Sequence, residues 1–276
     1  MNPRGIHIAV LQPFCVPGDI DGNLERMEEL LVPLAARGAQ LALFSEGGVT
    51  GYQADAPRVR AEDATWRRLS QMATRTRCAV VAGFVEAGET GNHITQGCFH
   101  PGGRVDIQRK HRAAAVEEAL EDFVCGPTEP TVFTVEGVRC AIAICADFGR
   151  EALWENLKQA GVELLLLPTA ACGSRALGYS LKALDDPATF EAYLCRESGV
   201  YFSADALRDT RRTGIALATC NQLALHDDYF HPGHSMVVSA VGQVLTLLPG
   251  SLVFEFLRPR ADCVFLPFPN LSHTRH

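Results

Sequence analysis

The 276-residue sequence has no apolar run of the roughly 20 residues that a helix needs to cross a bilayer. Its longest apolar stretches, at residues 78–82, 140–146 and 164–167, have the length of strands. The first 15 residues lack the h-region and small-residue cleavage site of an export signal. We therefore expect a cytoplasmic protein.

Positive charge is also scarce. The chain has 25 Lys and Arg against 32 Asp and Glu, which gives a net charge of −7. Its only basic clusters are short, at residues 109–112 and 211–212. A nucleic-acid groove or a membrane-binding surface needs a larger basic patch, so neither kind of partner is predicted.

Cysteine is abundant, but no C-x-x-C pair occurs among the ten cysteines. In a chain without an export signal, such cysteines are expected to be reduced and to serve as small apolar core residues. Only one or two should be chemically special. The apolar content of 47% and the charged content of 21% are ordinary for a globular protein and exclude a disordered chain or a coiled coil.

Strand and helix patterns alternate along the chain, with no internal repeat and no linker rich in Pro, Gly or Ser. Single strands are predicted at residues 6–11, 41–44, 79–85, 163–168 and 215–221. Hairpins are predicted at residues 92–109, 131–144 and 235–247, and helices at residues 23–37, 61–77, 150–160 and 188–198. The alternation predicts one α/β domain over residues 1–276, with a mixed sheet or two packed sheets.

Three reactive side chains come just after predicted buried strands, where loops present functional groups on a rigid scaffold. They are Glu46, Lys110 and Cys145. A partly desolvated carboxylate such as Glu46 suits a general base, and backbone N–H groups beyond a strand tip favour a thiolate at Cys145. Taken singly, each residue has an ordinary alternative: a solvated Glu or Lys at a strand end, or an inert buried Cys.

The order and setting of these residues resemble a known family. Residues 44–52 (FSEGGVTGY), 108–111 (QRKH) and 142–148 (IAICADF) are similar to three motifs of the nitrilase (carbon–nitrogen hydrolase) superfamily. The resemblance extends over roughly residues 6–250. Asp147, two residues after Cys145, is more similar to amidases and N-carbamoyl amidohydrolases than to true nitrilases, in which glutamate is usual at this position.

The resemblance implies a four-layer α-β-β-α sandwich with a catalytic triad. Cys145 would be the nucleophile and Glu46 its general base. Lys110 and the backbone N–H of Ala146 would stabilise the tetrahedral intermediate. The substrate would be a small amide or N-carbamoyl compound, no metal or organic cofactor would be needed, and the chain would form a homodimer or a larger homo-oligomer.

Further site residues are also predicted, and one of them follows from spacing within the same resemblance. Many members carry a second glutamate after the lysine, and Glu121 fits best, with Glu117 and Glu118 as alternatives. Tyr52 closes the first motif and is predicted to contact substrate. A substrate carboxylate would pair with Arg150 or, alternatively, with one of two other arginines, Arg175 and Arg208.

The sequence is also compatible with three other functions. Residues 226–234 contain three histidines and two acids, which indicate a possible zinc hydrolase, although Pro232-Gly233 interrupts the helix such a site would use. Hydrolysis of nitriles within the same superfamily is a second alternative. A catalytically silent scaffold or binding subunit is a third.

Overall fold

A computed structural model describes residues 4–51, 56–114, 122–149, 152–171, 173–174, 205–225, 229–248 and 259–268. The first sheet comprises β1 (Gly5–Gln12), β2 (Leu41–Leu43), β3 (Ala79–Ala87), β4 (Asn92–Phe99), β5 (Val105–Arg109) and β15 (Arg260–Pro267). Its strand order is β15-β1-β2-β3-β4-β5. Strands β1, β2 and β3 run parallel, and their outer neighbours are antiparallel to them.

The second sheet has a similar plan. It comprises β6 (Val132–Val135), β7 (Val138–Ile142), β8 (Leu164–Thr169), β10 (Ala216–Asn221), β13 (Ser235–Val238) and β14 (Val244–Leu248). The order is β14-β13-β10-β8-β7-β6, with β7, β8 and β10 parallel. A smaller sheet contains β9 (Gly173–Ser174), β11 (Leu223–Leu225) and β12 (Tyr229–Pro232).

Helices cover the outer faces of the two large sheets. They are α1 (Ile20–Ala36), α2 (Ala64–Thr76), α3 (Leu153–Gln159) and α4 (Asp205–Thr213). Side chains of α1 and α2 pack with the first sheet in one apolar cluster, and α3 and α4 pack with the second sheet in another. A third cluster joins the facing surfaces of the two sheets. The result is the expected α-β-β-α sandwich.

The unbroken apolar runs follow from this layering, because successive strand residues point to opposite faces. In β8, Leu164 and Leu166 belong to the cluster between the sheets, whereas Leu165 and Leu167 contact the helix layer. Both faces are therefore buried, and a strand of this kind carries no polar alternation. Within the part of the chain that the structure describes, no helix is long and apolar enough to span a membrane.

The structure corrects several predicted boundaries. The second helix begins at Ala64, after the N-cap residue Asp63 accepts a hydrogen bond from the Trp66 N–H, and the third begins at Leu153. Strand β15, helix α4 and the small sheet were not predicted, because their patterns are short or depend on long-range pairing such as that of β15 with β1. The predicted helix at residues 188–198 lies outside the described residues.

Candidate active site

Glu46, Lys110 and Cys145 each follow the carboxyl end of a strand. Glu46 follows β2 and Lys110 follows β5, and these two strands point the same way in the first sheet because β4 pairs antiparallel with both β3 and β5. Cys145 follows β7 of the second sheet. The two sheets face each other, so loops from both meet at one edge of the sandwich.

Glu46 and Lys110 form a fully buried ion pair. The Lys110 Nζ donates a hydrogen bond of 2.7 Å to the Glu46 Oε1, and both side chains are 0% exposed. Burial alone would lower the pKa of Lys110, but the negative charge of the Glu46 carboxylate, with smaller electrostatic contributions from Cys145 and Asp147, outweighs burial and raises the pKa above its usual value. The ammonium is therefore charged at neutral pH.

The carboxylate of Glu46 uses only one oxygen in this pair. The other oxygen, Oε2, is buried and accepts no hydrogen bond from any residue that the structure describes. A buried acceptor without a donor is costly, and such groups often serve a functional role. Oε2 is thus available to accept a proton from a thiol, a water molecule or a substrate amine.

Cys145 differs from most of the other described cysteines in exposure and backbone shape. It is partly exposed, whereas Cys15 and Cys140 are buried, and burial raises the pKa of their thiols to about 11 and about 12. Its φ of +45° is left-handed, which is strained for any residue with a side chain. The thiol therefore stands at a sharp turn between β7 and the 3-10 helix Cys145–Gly149.

The main chain around each of these residues is tied to neighbouring elements. The Lys110 N–H donates to the carbonyl oxygen of Ile94 at 2.8 Å, and the Lys110 carbonyl accepts from the Gly126 N–H at 2.7 Å. The loop that carries Glu46 is fixed to β3 by a 2.9 Å hydrogen bond from the Val49 N–H to the Gly83 carbonyl. The site is preorganised by backbone hydrogen bonds.

Gly83 of β3 lies close to the loop that carries Glu46. A Cβ atom at this position would lie 2.6 Å from the Gly47 nitrogen and 2.7 Å from the Ser45 carbonyl oxygen. We expect Gly83→Ala to destabilise the protein by about 1–3 kcal/mol and to lower activity, because the loop must shift. Denaturant unfolding and steady-state rates measure the two effects.

Gly102 provides the matched control for this substitution. It lies in the turn between β4 and β5, and a Cβ atom there would meet nothing within 4 Å. Gly102→Ala should leave stability and activity close to those of the original protein. Equal behaviour of the two variants would contradict a packing role for Gly83.

The remaining predicted site residues are only partly described. Ala146 is partly exposed in the first turn of the 3-10 helix, where N–H groups lack an acceptor within the helix. Tyr52, Glu121 and Arg150 lie outside the described residues, as do the alternatives Glu117, Glu118 and Arg175. Arg208 is described, and its guanidinium pairs with Asp209 on α4 at 3.0 Å.

The predicted histidine cluster is also divided. Residues 226–228 lie outside the described part of the chain, whereas His231 and His234 are described. Across the described ranges, no group of three or more His, Cys, Asp or Glu side chains is placed to hold a metal ion. The zinc alternative therefore gains no support from these residues.

Sequence reasoning treated Asp147 as a marker of enzyme class and missed its structural role. The buried carboxylate accepts hydrogen bonds from the backbone N–H groups of His111 and Arg112, at 3.1 and 2.7 Å from Oδ1. The motif spacing places Asp147 near the nucleophile but gives no sign of this contact, because the two loops are about 35 residues apart.

Loops of a four-layer α/β scaffold thus carry a buried carboxylate–ammonium pair and a partly exposed cysteine. The sequence model of the carbon-nitrogen hydrolase family matches residues 7–183. The chain therefore belongs to the carbon-nitrogen hydrolase family.

Individual relatives are consistent with this family. The chain is 28% identical to an aliphatic nitrilase of Sinorhizobium fredii over 184 residues, which cover 59% of each chain. It is 22% identical to nitrilase 1 of Arabidopsis thaliana, over 87% of this chain and 74% of that one. A mutant of the Nesterenkonia AN1 amidase, from the nitrilase superfamily, has a similar fold with a TM-score of 0.74, 25% identity and coverage of 96% and 92%.

Proposed function

We propose that this hydrolase cleaves the non-peptide C–N bond of a small amide or N-carbamoyl compound, with Cys145, Glu46 and Lys110 as its catalytic triad. The observation that carries the proposal is the buried 2.7 Å pair of Glu46 and Lys110, which lies within electrostatic reach of the partly exposed Cys145.

The first half of the reaction forms an acyl-enzyme. Glu46 accepts the thiol proton through its unpaired Oε2, and the Cys145 sulfur attacks the substrate carbonyl carbon. Lys110 and the Ala146 N–H stabilise the negative charge on the carbonyl oxygen; one such donor is worth about 2.7–4 kcal/mol in other enzymes. The C–N bond then breaks, the leaving nitrogen takes the proton from Glu46, and a thioester remains.

The second half hydrolyses the thioester. Glu46 accepts a proton from a water molecule, whose oxygen attacks the thioester carbonyl, and the same two donors hold the second oxyanion. The C–S bond breaks, the thiolate recovers its proton from Glu46, and a carboxylic or carbamic acid leaves. The overall reaction consumes only substrate and water.

The additional site residues and the assembly are part of the same proposal. Glu121 would support the triad and Tyr52 would contact substrate, by their positions in the family motifs, and Arg150 would pair with a substrate carboxylate. A single domain, a homodimer or larger homo-oligomer and a cytoplasmic location are proposed on the same sequence grounds.

Nitrile hydrolysis is the second candidate function. It is favoured by the similarity to the aliphatic nitrilase of Sinorhizobium fredii, of which the chain spans 59%. Asp147 favours the amide reading, because the resemblance associates glutamate at this position with nitrilases.

A substrate panel tests the proposal. Small aliphatic amides, ureido acids and aliphatic nitriles are incubated with the protein, and released ammonia is measured. We expect ammonia from amides or ureido acids at a rate at least about tenfold above that from nitriles, since a pocket that hydrogen-bonds an amide NH2 rejects a group that lacks it. Faster release from nitriles would favour the second candidate, and release from none would favour a binding subunit.

A further inference from the structure

Asp147 connects the two loops that carry the proposed nucleophile and cation. Its Oδ1 accepts the N–H of His111 at 3.1 Å and that of Arg112 at 2.7 Å. Its Oδ2 accepts the N–H of Ile144 at 3.1 Å. His111 directly follows Lys110, and Ile144 directly precedes Cys145, so one carboxylate spans the junction between the site's two halves.

This connection crosses between the two sheets. Lys110 extends from β5 of the first sheet, and Cys145 extends from β7 of the second. The side chain of Asp147 is 3% exposed, which shields its hydrogen bonds from competing water. Hydrogen bonds from N–H groups to an ionised carboxylate are shorter and stronger than those between neutral partners.

The contacts of Asp147 indicate an indirect role. Both carboxylate oxygens already accept backbone N–H groups, so neither is directed at a reacting atom. The negative charge also contributes to the raised pKa of Lys110, after the larger effects of burial, Glu46 and Cys145. Asp147 therefore acts on the position and charge of other groups.

We propose that Asp147 is a positioning residue that fixes the Lys110 ammonium relative to Cys145, so that the ammonium meets the oxyanion when it forms. This inference rests on the proposed function. A displacement of about 1 Å can cost a factor of about 100 in rate when reacting groups are otherwise prealigned. The separation of the two loops is the quantity that Asp147 controls.

Two substitutions measure this role. Asp147→Asn keeps the size of the side chain but puts an NH2 group against a backbone N–H, and Asp147→Ala removes all of these hydrogen bonds. We expect kcat for amide hydrolysis to fall by about 30- to 100-fold in Asp147→Ala, with KM changed less than about threefold. Asp147→Asn should lie between Asp147→Ala and the original protein, because one acceptor oxygen remains.

Alkylation of Cys145 by iodoacetamide separates positioning from general damage. In this reaction the sulfur displaces iodide from carbon and no oxyanion forms, so Lys110 need not be placed correctly. We expect the alkylation rate of Asp147→Ala, measured by mass spectrometry of the Cys145 peptide, to stay within about threefold of the original rate. A parallel loss of kcat, alkylation and melting temperature would show a general structural role and overturn the inference.

Glu163→Gln is the matched control. The Glu163 carboxylate also accepts a backbone N–H, that of Arg139 at 3.0 Å. This contact lies where β7 and β8 begin, whereas Cys145 follows the end of β7. This variant should keep kcat unchanged. If the original protein hydrolyses the substrate and Asp147→Ala does so equally well, only the positioning inference is wrong; if the original protein releases ammonia from no substrate, the proposed function is wrong as well.

Discussion

Replacement of Cys145 by alanine is expected to lower the hydrolysis rate by about 10³-fold or more and to leave the fold intact. The sulfur is the atom that would bond to the acyl group, and the methyl group of alanine cannot form that bond. Because Cys145 is only partly buried, removing its sulfur creates little cavity and should change stability by less than about 1 kcal/mol. Ammonia release and thermal unfolding measure the two quantities.

Cys263→Ala is the control for this prediction. Cys263 is also partly exposed, but it lies in β15 at the opposite side of the first sheet from β5. Its replacement should leave the rate unchanged. A Cys145→Ala variant that keeps a tenth of the original activity would refute the assignment of the nucleophile.

The second large effect concerns the buried pair of Glu46 and Lys110. Either Glu46→Leu or Lys110→Met removes one member of a buried ion pair, which typically costs about 3–5 kcal/mol. The double variant replaces both charges with apolar groups of similar size and should regain most of that loss. All three variants should fall below about 1% of the original activity, because the base, the cation or both are missing.

Urea unfolding of the four proteins gives the interaction free energy, and rates with the best substrate of the panel give the catalytic loss. The exposed pair of Arg75 and Glu28 serves as a control, since Arg75→Met removes a salt bridge whose arginine is 62% exposed. It should change stability by less than about 1 kcal/mol. A single variant at Glu46 or Lys110 that keeps its activity, or a double variant with restored activity, would contradict the catalytic assignment. A single variant as stable as the original protein would contradict the stabilising role of the pair.

The central strands could be predicted because both of their faces are buried. Leu164 and Leu165 contact different layers, yet both are apolar, and the sequence shows this as an unbroken run. The loops after such strands identified Glu46, Lys110 and Cys145 as candidates, and the structure brings Glu46 and Lys110 into direct contact. Local pattern was sufficient for the strands, whereas the three candidate residues were chosen only with the help of the resemblance to a known family.

The features that could not be predicted depend on contacts between distant parts of the chain. Strand β15 completes the first sheet by pairing with β1, more than 240 residues earlier, and no local pattern indicates that partner. The N–H groups beyond the strand tip at Cys145 belong to a 3-10 helix that begins at Cys145 itself, before the helix that was predicted from residue 150. Asp147 was recognised by its spacing, and its hydrogen bonds to residues 111 and 112 required coordinates.

The division of the site between two sheets has a consequence for how the protein can be cut or recombined. The strands that lead to Glu46 and Lys110 belong to the first sheet, and the strand that leads to Cys145 belongs to the second. Neither sheet alone carries all three residues of the proposed triad. Under the proposed assignment, a chimera that joined the first sheet of one related enzyme to the second sheet of another would need the native packing between the two sheets before it could hydrolyse any substrate.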